Sequence, residues 1–285
     1  TKTGYTGDSQ TVNVTENVTT TQNLTLVEYG IISGTCKDDA GSALNDATVT
    51  ITKGAVTLTT TSAAGAYSIA DVPVNTAYTL TVTKANYVTG SYTVNITEAA
   101  TTTQNVVASR YGSMSGTVTD ETGNVEGATV NVCAVDTTTP VLYTGTTIAN
   151  GTYQIANVAP GTYDVWFSKA NHVSAKTDDQ AVVAATDKVV DKVLGEYANL
   201  SGHITAAGPV DVEGVLVALY ATYPGTITYQ GTTNASGVYA INNIAPGTYQ
   251  VRVSKTAYVT QFVADYAGCI ADADVTNYDF LIVAS

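Results

Sequence analysis

A chain of 285 residues that is 44% hydrophobic can bury one large core or two to three ordinary ones. With only three Phe, one Trp and one Met, those cores must be filled by Val, Ile, Ala and Tyr. Charged residues make up 12% of the chain and the formal net charge is −13, which repels phosphate backbones and anionic headgroups and excludes nucleic acid and a membrane surface as partners.

No apolar run reaches the roughly 20 residues that span a bilayer, and no basic and apolar leader opens the chain, so it reads as a mature or trimmed product. Abundant Thr with Val, Ile and Tyr favours strands, and an all-β protein is the first expectation.

From the N-terminus, residues 1–28 carry Lys2-Thr-Gly-Tyr5, then Val12 and Val14, then Thr19-Thr-Thr-Gln-Asn23, then Leu24 and Leu26. Lys84-Ala-Asn-Tyr87 and Thr101-Thr-Thr-Gln-Asn105 repeat these motifs, so residues 1–28 read as a partial module or a strand-donating hairpin. Left alone, its apolar residues Val12, Val14, Leu24 and Leu26 would face water, which marks them as an interface.

Three modules follow at a spacing near 85 residues, 29–110, 111–196 and 197–285, with Tyr29, Tyr111 and Tyr197 at the joints. In the first, Tyr78, Leu80 and Val82 alternate as core positions, and Cys36 lies in register with Val118 and is expected to be buried. In the second, Gly112–Asp120 and Gly127–Val132 alternate as strands around a turn at Gly123. A variable stretch follows, then strands from Asn150 and from Tyr163 separated by the Pro160-Gly161 turn.

There Tyr163, Val165 and Phe167 face the core, while Asp164 and Trp166 face outward. In the third, Ile244-Ala-Pro-Gly-Thr-Tyr249 repeats Val158-Ala-Pro-Gly-Thr-Tyr163, Tyr249, Val251 and Val253 take the core positions, and a final strand runs from Tyr278 to Val283. Turn signals at regular intervals, with no helical period, predict about seven short strands per module in an antiparallel sandwich.

The repeated pattern Gly-x-x-x-Gly-Thr-Val-x-Asp, Gly-Ala-x-Val, Gly-x-Tyr-x-Ile and Pro-Gly-Thr-Tyr resembles the carboxypeptidase regulatory-like family, a transthyretin-like, Ig-like sandwich related to collagen-adhesin B-type modules. The resemblance covers residues 29 to 285 three times over. The first copy departs from it at Val72-Pro-Val-Asn75, and the third has His203-Ile204 in place of Thr-Val. It implies a structural or accessory module rather than a catalytic one.

Two histidines, His172 and His203, stand at non-equivalent places without repeated acidic partners. His172 occupies a Tyr position and reads as structural. No phosphate loop, zinc spacing or serine elbow is present, so no enzyme is expected. Calcium is a weaker proposal, resting on Asp272-Ala-Asp274 with Asp265 and Asp279, and on Asp38-Asp39 and Asp178-Asp179; these charges read more readily as solvated loops. The repeated Lys84, Lys169 and Lys255 have no Asn repeated in the last strand, so no isopeptide bond is expected.

Asn-x-Ser/Thr sequons at Asn13, Asn17, Asn23, Asn95, Asn150, Asn199 and Asn234 point to a glycan coat, with Asn150 and Asn234 at glycine turns. Cys133 and Cys269 read as exposed and able to bridge modules or subunits. Trp166 reads as an outward contact residue or sugar platform.

The sequence-level expectation is an extracellular structural chain that polymerises head to tail with copies of itself. The alternatives are a spacer in a surface adhesin or S-layer-type protein and a carbohydrate-binding accessory module.

Overall fold

A computed structural model of the chain describes residues 2–206, 211–256, 259, 261–269 and 279–282, with the backbone alone described over 261–269. Tyr258, Tyr278, Val283, Asp272, Asp274 and the side chains of Asp265 and Cys269 lie outside the described residues. Every helical or extended element among those described is a strand.

In the first sandwich, Gly30–Asp38 lies between Ala66–Val72 and Val106–Ala108, and also pairs with Thr101–Thr103. The facing sheet runs Val56–Thr61, Thr48–Lys53, Asn75–Thr83, Gly90–Ile96. The second sandwich repeats this order, with Thr152–Val158, Gly112–Thr119 and Asp187–Val189 in one sheet and Val141–Thr146, Thr129–Ala134, Gly161–Ser168 and Ala175–Val182 in the other. The third has Val238–Ile244, Ala198–Ala206 and Phe280–Ile282 against Tyr229–Thr232, Leu216–Tyr220, Gly247–Ser254 and Gln261–Cys269.

Alternation places the cores as the sequence predicts. Tyr78, Leu80, Val82, Tyr163, Val165, Phe167, Tyr249, Val251 and Val253 are all buried, as is Cys36. Burial of these β-branched and aromatic side chains between two sheets is the main stabilising term, on the order of 1.5–3 kcal/mol for each large apolar side chain.

One feature departs from a purely antiparallel sandwich. The closing strand runs parallel to the first strand of its module, through Ile31↔Thr101 and Cys36↔Val106, then Val118↔Lys192, then Ile204↔Phe280. A chain crossing from one sheet to the other reaches the open edge of the first strand in the same sense, and parallel pairing requires such a crossover.

In the first two sandwiches the closing strand is also broken in two. The break falls where a carbonyl leaves the ladder to accept a hydrogen bond from a core tyrosine: Tyr67 Oη donates to Gln104 O at 2.6 Å and Tyr153 Oη to Val190 O at 2.7 Å. A Cβ on Gly34 would meet Gln104 O at 1.9 Å, and one on Gly116 would meet Val190 O at 2.1 Å, so only glycine fits beneath the break. The next side chain replaces the lost ladder bond: Asn105 Oδ1 accepts from Thr35 N at 2.9 Å, Asp191 Oδ1 from Thr117 N at 2.8 Å and Asp279 Oδ1 from His203 N at 2.7 Å. Because the donor is a backbone amide, the third module keeps this bond although His203 replaces Thr.

A second repeated device is a bulge. Gly30 pairs with Val72 and Ile32 with Ile69, so Ala70 and Asp71 oppose a single residue, and Asp71 takes φ 55°. Asn157 and Asn243, at φ 56° and 58°, occupy the same place. Asp and Asn tolerate the left-handed region better than other non-glycine residues. The extra residue re-aims Val72, Val158 and Ile244 into the core, where all three are fully buried.

A third device is a buried hydroxyl. Ser62 Oγ donates to Leu44 O at 2.6 Å and accepts from Ala47 N at 3.0 Å; Thr147 Oγ1 donates to Val125 O at 2.6 Å and accepts from Ala128 N at 2.8 Å; Thr233 does the same with Val212 O and Val215 N. Each hydroxyl ties the loop before the second strand to the loop before the strand at Ala66, Thr152 or Val238.

Replacing Thr147 by Val keeps the shape but leaves a buried amide and carbonyl without partners, so Thr147→Val is expected to lower stability by about 1–3 kcal/mol in urea unfolding. A change within 0.3 kcal/mol, the scale of additivity error, would refute that role.

Candidate functional site

The N-terminal segment copies the closing half of a module at an offset of 82 residues. Tyr5–Thr6 pairs antiparallel with Val27–Glu28, and Tyr29 N donates to Gly4 O at 2.9 Å. The same joint recurs as Tyr111 N to Asn86 O at 3.2 Å and Tyr197 N to Asn171 O at 3.0 Å. Gly4, Asn86 and Asn171, at φ 83°, 67° and 66°, supply the left-handed residue that turns the chain there.

Residues 7–26 form no strand where their counterparts form three, yet they keep one turn of those counterparts. Thr20 Oγ1 donates to Asn13 O at 3.3 Å, as Thr102 Oγ1 does to Asn95 O at 3.0 Å, and Asn17 takes φ 57° where Ala99 takes 52°. What differs is cover. Val94, Ile96, Val106 and Ala108 are at most 5% exposed, whereas Val12, Val14 and Leu24, at the first three of those positions, are 43%, 79% and 56% exposed, and Leu26 is half-buried. Gln22 and Asn23 stand where Gln104 and Asn105 bind the tyrosine hydroxyl and the Thr amide of the first strand. The segment therefore carries every group that closes a sandwich.

The outer face of the second sandwich corrects two expectations. Cys133, expected to be exposed, is fully buried, and so is Asp164, expected to face solvent. Both do point away from the core, since they pair across strands as Cys133↔Asp164, but the loop over residues 135–140 folds back to cover them. Cys133 Sγ donates to Thr138 O at 3.4 Å, Trp166 Nε1 donates to Thr137 O at 3.1 Å, and Asp136 N donates to Asp164 Oδ2 at 2.9 Å. Burial, and then the Asp164 charge, push the Cys133 thiol's pKa up.

Trp166 faces outward as expected but is half-buried beneath its own module's loop, with the Lys176 ammonium 5.4 Å from the ring centroid. That leaves no open aromatic platform on this face.

Asp164 Oδ1 also accepts from Asp179 N at 3.1 Å, and Lys176 Nζ lies 3.2 Å from Oδ2. The Asp179 amide, with the Asp136 amide and the Lys176 ammonium, holds the carboxyl below its ordinary pKa against the opposing pull of burial. The third sandwich uses a neutral version: Gln250 Oε1 accepts from Tyr223 N at 2.7 Å, and Tyr220, in the place of Cys133, stacks edge-on with Tyr223 at 5.2 Å. The first sandwich joins the same two strands by the tight turn after Lys53.

Of the described acids considered for calcium, Asp38, Asp39, Asp178 and Asp279 have partners of their own. Asp38 Oδ1 accepts from Ala40 N and Ser42 N, Asp39 pairs with Arg110 at 2.9 Å, Asp178 pairs with Lys176, and Asp279 holds His203 N. Lys84, Lys169 and Lys255 share one role, donating to the carbonyls of Asn45, Glu126 and Glu213.

His172 has two acidic partners, which a search for repeated ones did not reveal. Its Nε2 lies 3.1 Å from Asp120 Oδ2 and 3.5 Å from Glu196 Oε1. Burial pushes the Asp120 carboxyl up, but hydrogen bonds from Thr122, His172 and Gly123 outweigh it and hold it at about 2. The available signal was that His for Tyr and Glu for Arg fall at the same joint.

Residues 31–109, 113–195 and 199–277 each match the family model described as the carboxypeptidase regulatory-like domain. The chain belongs to that family. No curated protein matches it in sequence. Among solved structures it is similar to a streptococcal ancillary pilin, at 12% identity over 90% of this chain and 99% of that one with a TM-score of 0.39. It is similar to GBS52, the minor pilin of Streptococcus agalactiae, at 14% identity over 61% and 96% with a TM-score of 0.36. It is also similar to the Bacillus anthracis TIE protein, at 13% identity with a TM-score of 0.29, where 90% of this chain spans 51% of that one. Likenesses this remote say nothing about what the chain does.

On these carboxypeptidase regulatory-like modules the sequons differ in access. Asn13, Asn17 and Asn23 are exposed on the N-terminal segment, and Asn95 is exposed although its Oδ1 accepts from Ala77 N at 2.8 Å. Asn150 and Asn234 sit exposed at turns, where their Oδ1 atoms accept from Thr152 N and Ser236 N at 3.2 and 3.0 Å. Asn199 is half-buried, with Oδ1 accepting from Asn243 N at 3.2 Å.

Two outcomes are expected from the outer face. In a Cys269→Ser variant, neither Cys36 nor Cys133 reacts with an aromatic disulfide reagent until the protein is unfolded; immediate reaction of either would show the cover to be wrong. Because the folded carboxyl of Asp164 is depressed, it contributes stability above the ordinary Asp value of about 3.9, lost as pH falls through the folded value. Melting temperature is therefore expected to fall more steeply on acidification in the wild type than in Asp164→Asn, and parallel curves would count against this.

Proposed function

We propose that this chain is a structural subunit of an extracellular filament or pilus-like fibre, in which the N-terminal segment of one copy completes a sandwich of a neighbouring copy. In this reading 29–110, 111–196 and 197–285 are its three modules and 1–28 is the connecting segment. The observation that carries it is the exposure of Val12, Val14 and Leu24 in a segment that copies a buried closing half in sequence and keeps its turn.

Burying such side chains is favourable by on the order of 1.5–3 kcal/mol each, and an edge freed of its own closing strand offers backbone groups for a ladder. A contact of this kind between different surfaces of identical subunits grows into a helical array unless its rotation closes a ring. The exposed sequons at Asn13, Asn17, Asn23, Asn95, Asn150 and Asn234 suit a glycan coat on such a fibre.

A second reading is favoured by the third sandwich, whose edge is already occupied by Phe280–Ile282. The segment would then close a preceding module of the same polypeptide, and the chain would be a stalk or spacer in a surface protein. Under the first reading that three-residue strand must give way to residues 24–26 of the incoming copy, with Leu24 and Leu26 taking the places of Phe280 and Ile282.

Electron microscopy of the purified chain is expected to show filaments with a regular axial repeat, and the double variant Leu24→Asp with Leu26→Asp is expected to remain monomeric with its three sandwiches folded. Wild-type material that stays monomeric under all conditions, or filaments that persist in the double variant, would sink the proposal. Intact mass equal to the sequence mass in material from the native source would remove the glycan coat.

A further inference from the structure

The repeat changes its chemistry at one joint. Where the first sandwich hands over to the next segment, Tyr87 bridges Arg110 through the backbone, and the Arg110 guanidinium donates from Nε and Nη2 to Asp39 at 2.9 and 3.2 Å. At the following joint His172 bridges Glu196 in the same way, so an imidazole replaces the phenol and a carboxylate stands where the cation was. A second carboxylate, Asp120, meets them. The three ligand atoms, His172 Nε2, Asp120 Oδ2 and Glu196 Oε1, lie within 4.8 Å of one another, with the imidazole and Asp120 nearly buried and Glu196 about a third exposed.

Two of the three ligands are held from behind. His172 Nδ1 lies 3.0 Å from Ala170 O, which takes the Nδ1 proton and leaves Nε2 turned toward the acids. Asp120 Oδ1 accepts from Thr122 N at 2.8 Å, Thr122 Oγ1 at 2.7 Å and Gly123 N at 2.9 Å, which leaves Oδ2 to present itself singly. Without a metal, a proton on Nε2 bridges His172 to Asp120; a divalent ion would take the place of that proton between the imidazole and the two carboxylates.

We propose that Asp120, His172 and Glu196 bind a divalent transition-metal ion of the zinc type. Metal–ligand bonds of about 2.0–2.2 Å in a tetrahedron put ligand atoms roughly 3.3–3.6 Å apart, close to the 3.1 and 3.5 Å seen here. One nitrogen and two carboxylate oxygens suit zinc, copper or nickel, whereas calcium takes six to eight oxygens. With a neutral imidazole the two acids carry charge −2, which the ion balances, and the exposed side of Glu196 leaves a fourth position for water. Because Asp120 and His172 come from the second sandwich and Glu196 from the segment leading into the third, the ion fastens that joint. This inference is independent of the filament reading.

The test uses the full chain after chelation and dialysis, titrated with zinc chloride by calorimetry and thermal shift, beside His172→Tyr and Glu196→Arg. Both variants install residues that the first joint carries, so folding is expected to be retained and is checked by circular dichroism. The expected result is one zinc ion per chain and a rise in melting temperature in the wild type, no rise with magnesium or calcium, and loss of both binding and shift in the two variants. Cobalt loading is expected to give visible ligand-field bands in the wild type alone. Absence of stoichiometric zinc binding by the wild type, or unchanged binding in His172→Tyr, would overturn the proposal.

Discussion

Each sandwich is held shut by a short parallel strand laid against its first strand, and the rest of the architecture depends on that contact. The strand comes from about 70 residues further along the chain, and it must bring two carbonyl-linked functions to one place: Gln104 O or Val190 O to a core tyrosine hydroxyl, and the next side chain to a backbone amide. Gly34 and Gly116 exist to let that carbonyl approach. A closure this local in area but long in sequence separation is separable in principle from the rest of the module, and residues 1–28 show what the separated half looks like. It keeps its turns and loses its cover.

The bulges and buried hydroxyls serve the same closure from the other side. The left-handed Asp71, Asn157 and Asn243 aim Val72, Val158 and Ile244 into the core, and Ser62, Thr147 and Thr233 fix the loops that frame the first strand. The modules differ at places the closure does not use. The link between the second and third strands lengthens in the second and third modules and covers the outer sheet face, and the joint before the third module exchanges a phenol and a guanidinium for an imidazole and a carboxylate.

Charge follows this division. The chain is acidic overall, and among the described residues three of its eleven cations form ion pairs with acids: Arg110 with Asp39, Lys176 with Asp164 and Asp178, and Lys255 with Asp211. The cluster at His172 is the place where two carboxylates meet an imidazole instead of an ammonium or guanidinium, and that imbalance, more than the mere proximity of acids, is what singles it out.

The sequence by itself determined the all-β class, the threefold repeat and the inward residues such as Tyr163, Val165 and Phe167, because alternation along an extended backbone is a local property that fixes which side of a sheet each residue meets. It also marked Val12, Val14, Leu24 and Leu26, since a copied motif carries its burial requirement with it. The parallel sense of closure, the burial of Cys133 and Asp164, and the meeting of Asp120 with His172 and Glu196 were decided only by tertiary structure. Alternation names the face but not what lies over it: cover depends on the path of the 135–140 loop. The partners of His172 depend on strands that are remote in the chain and adjacent only once the sheets have formed.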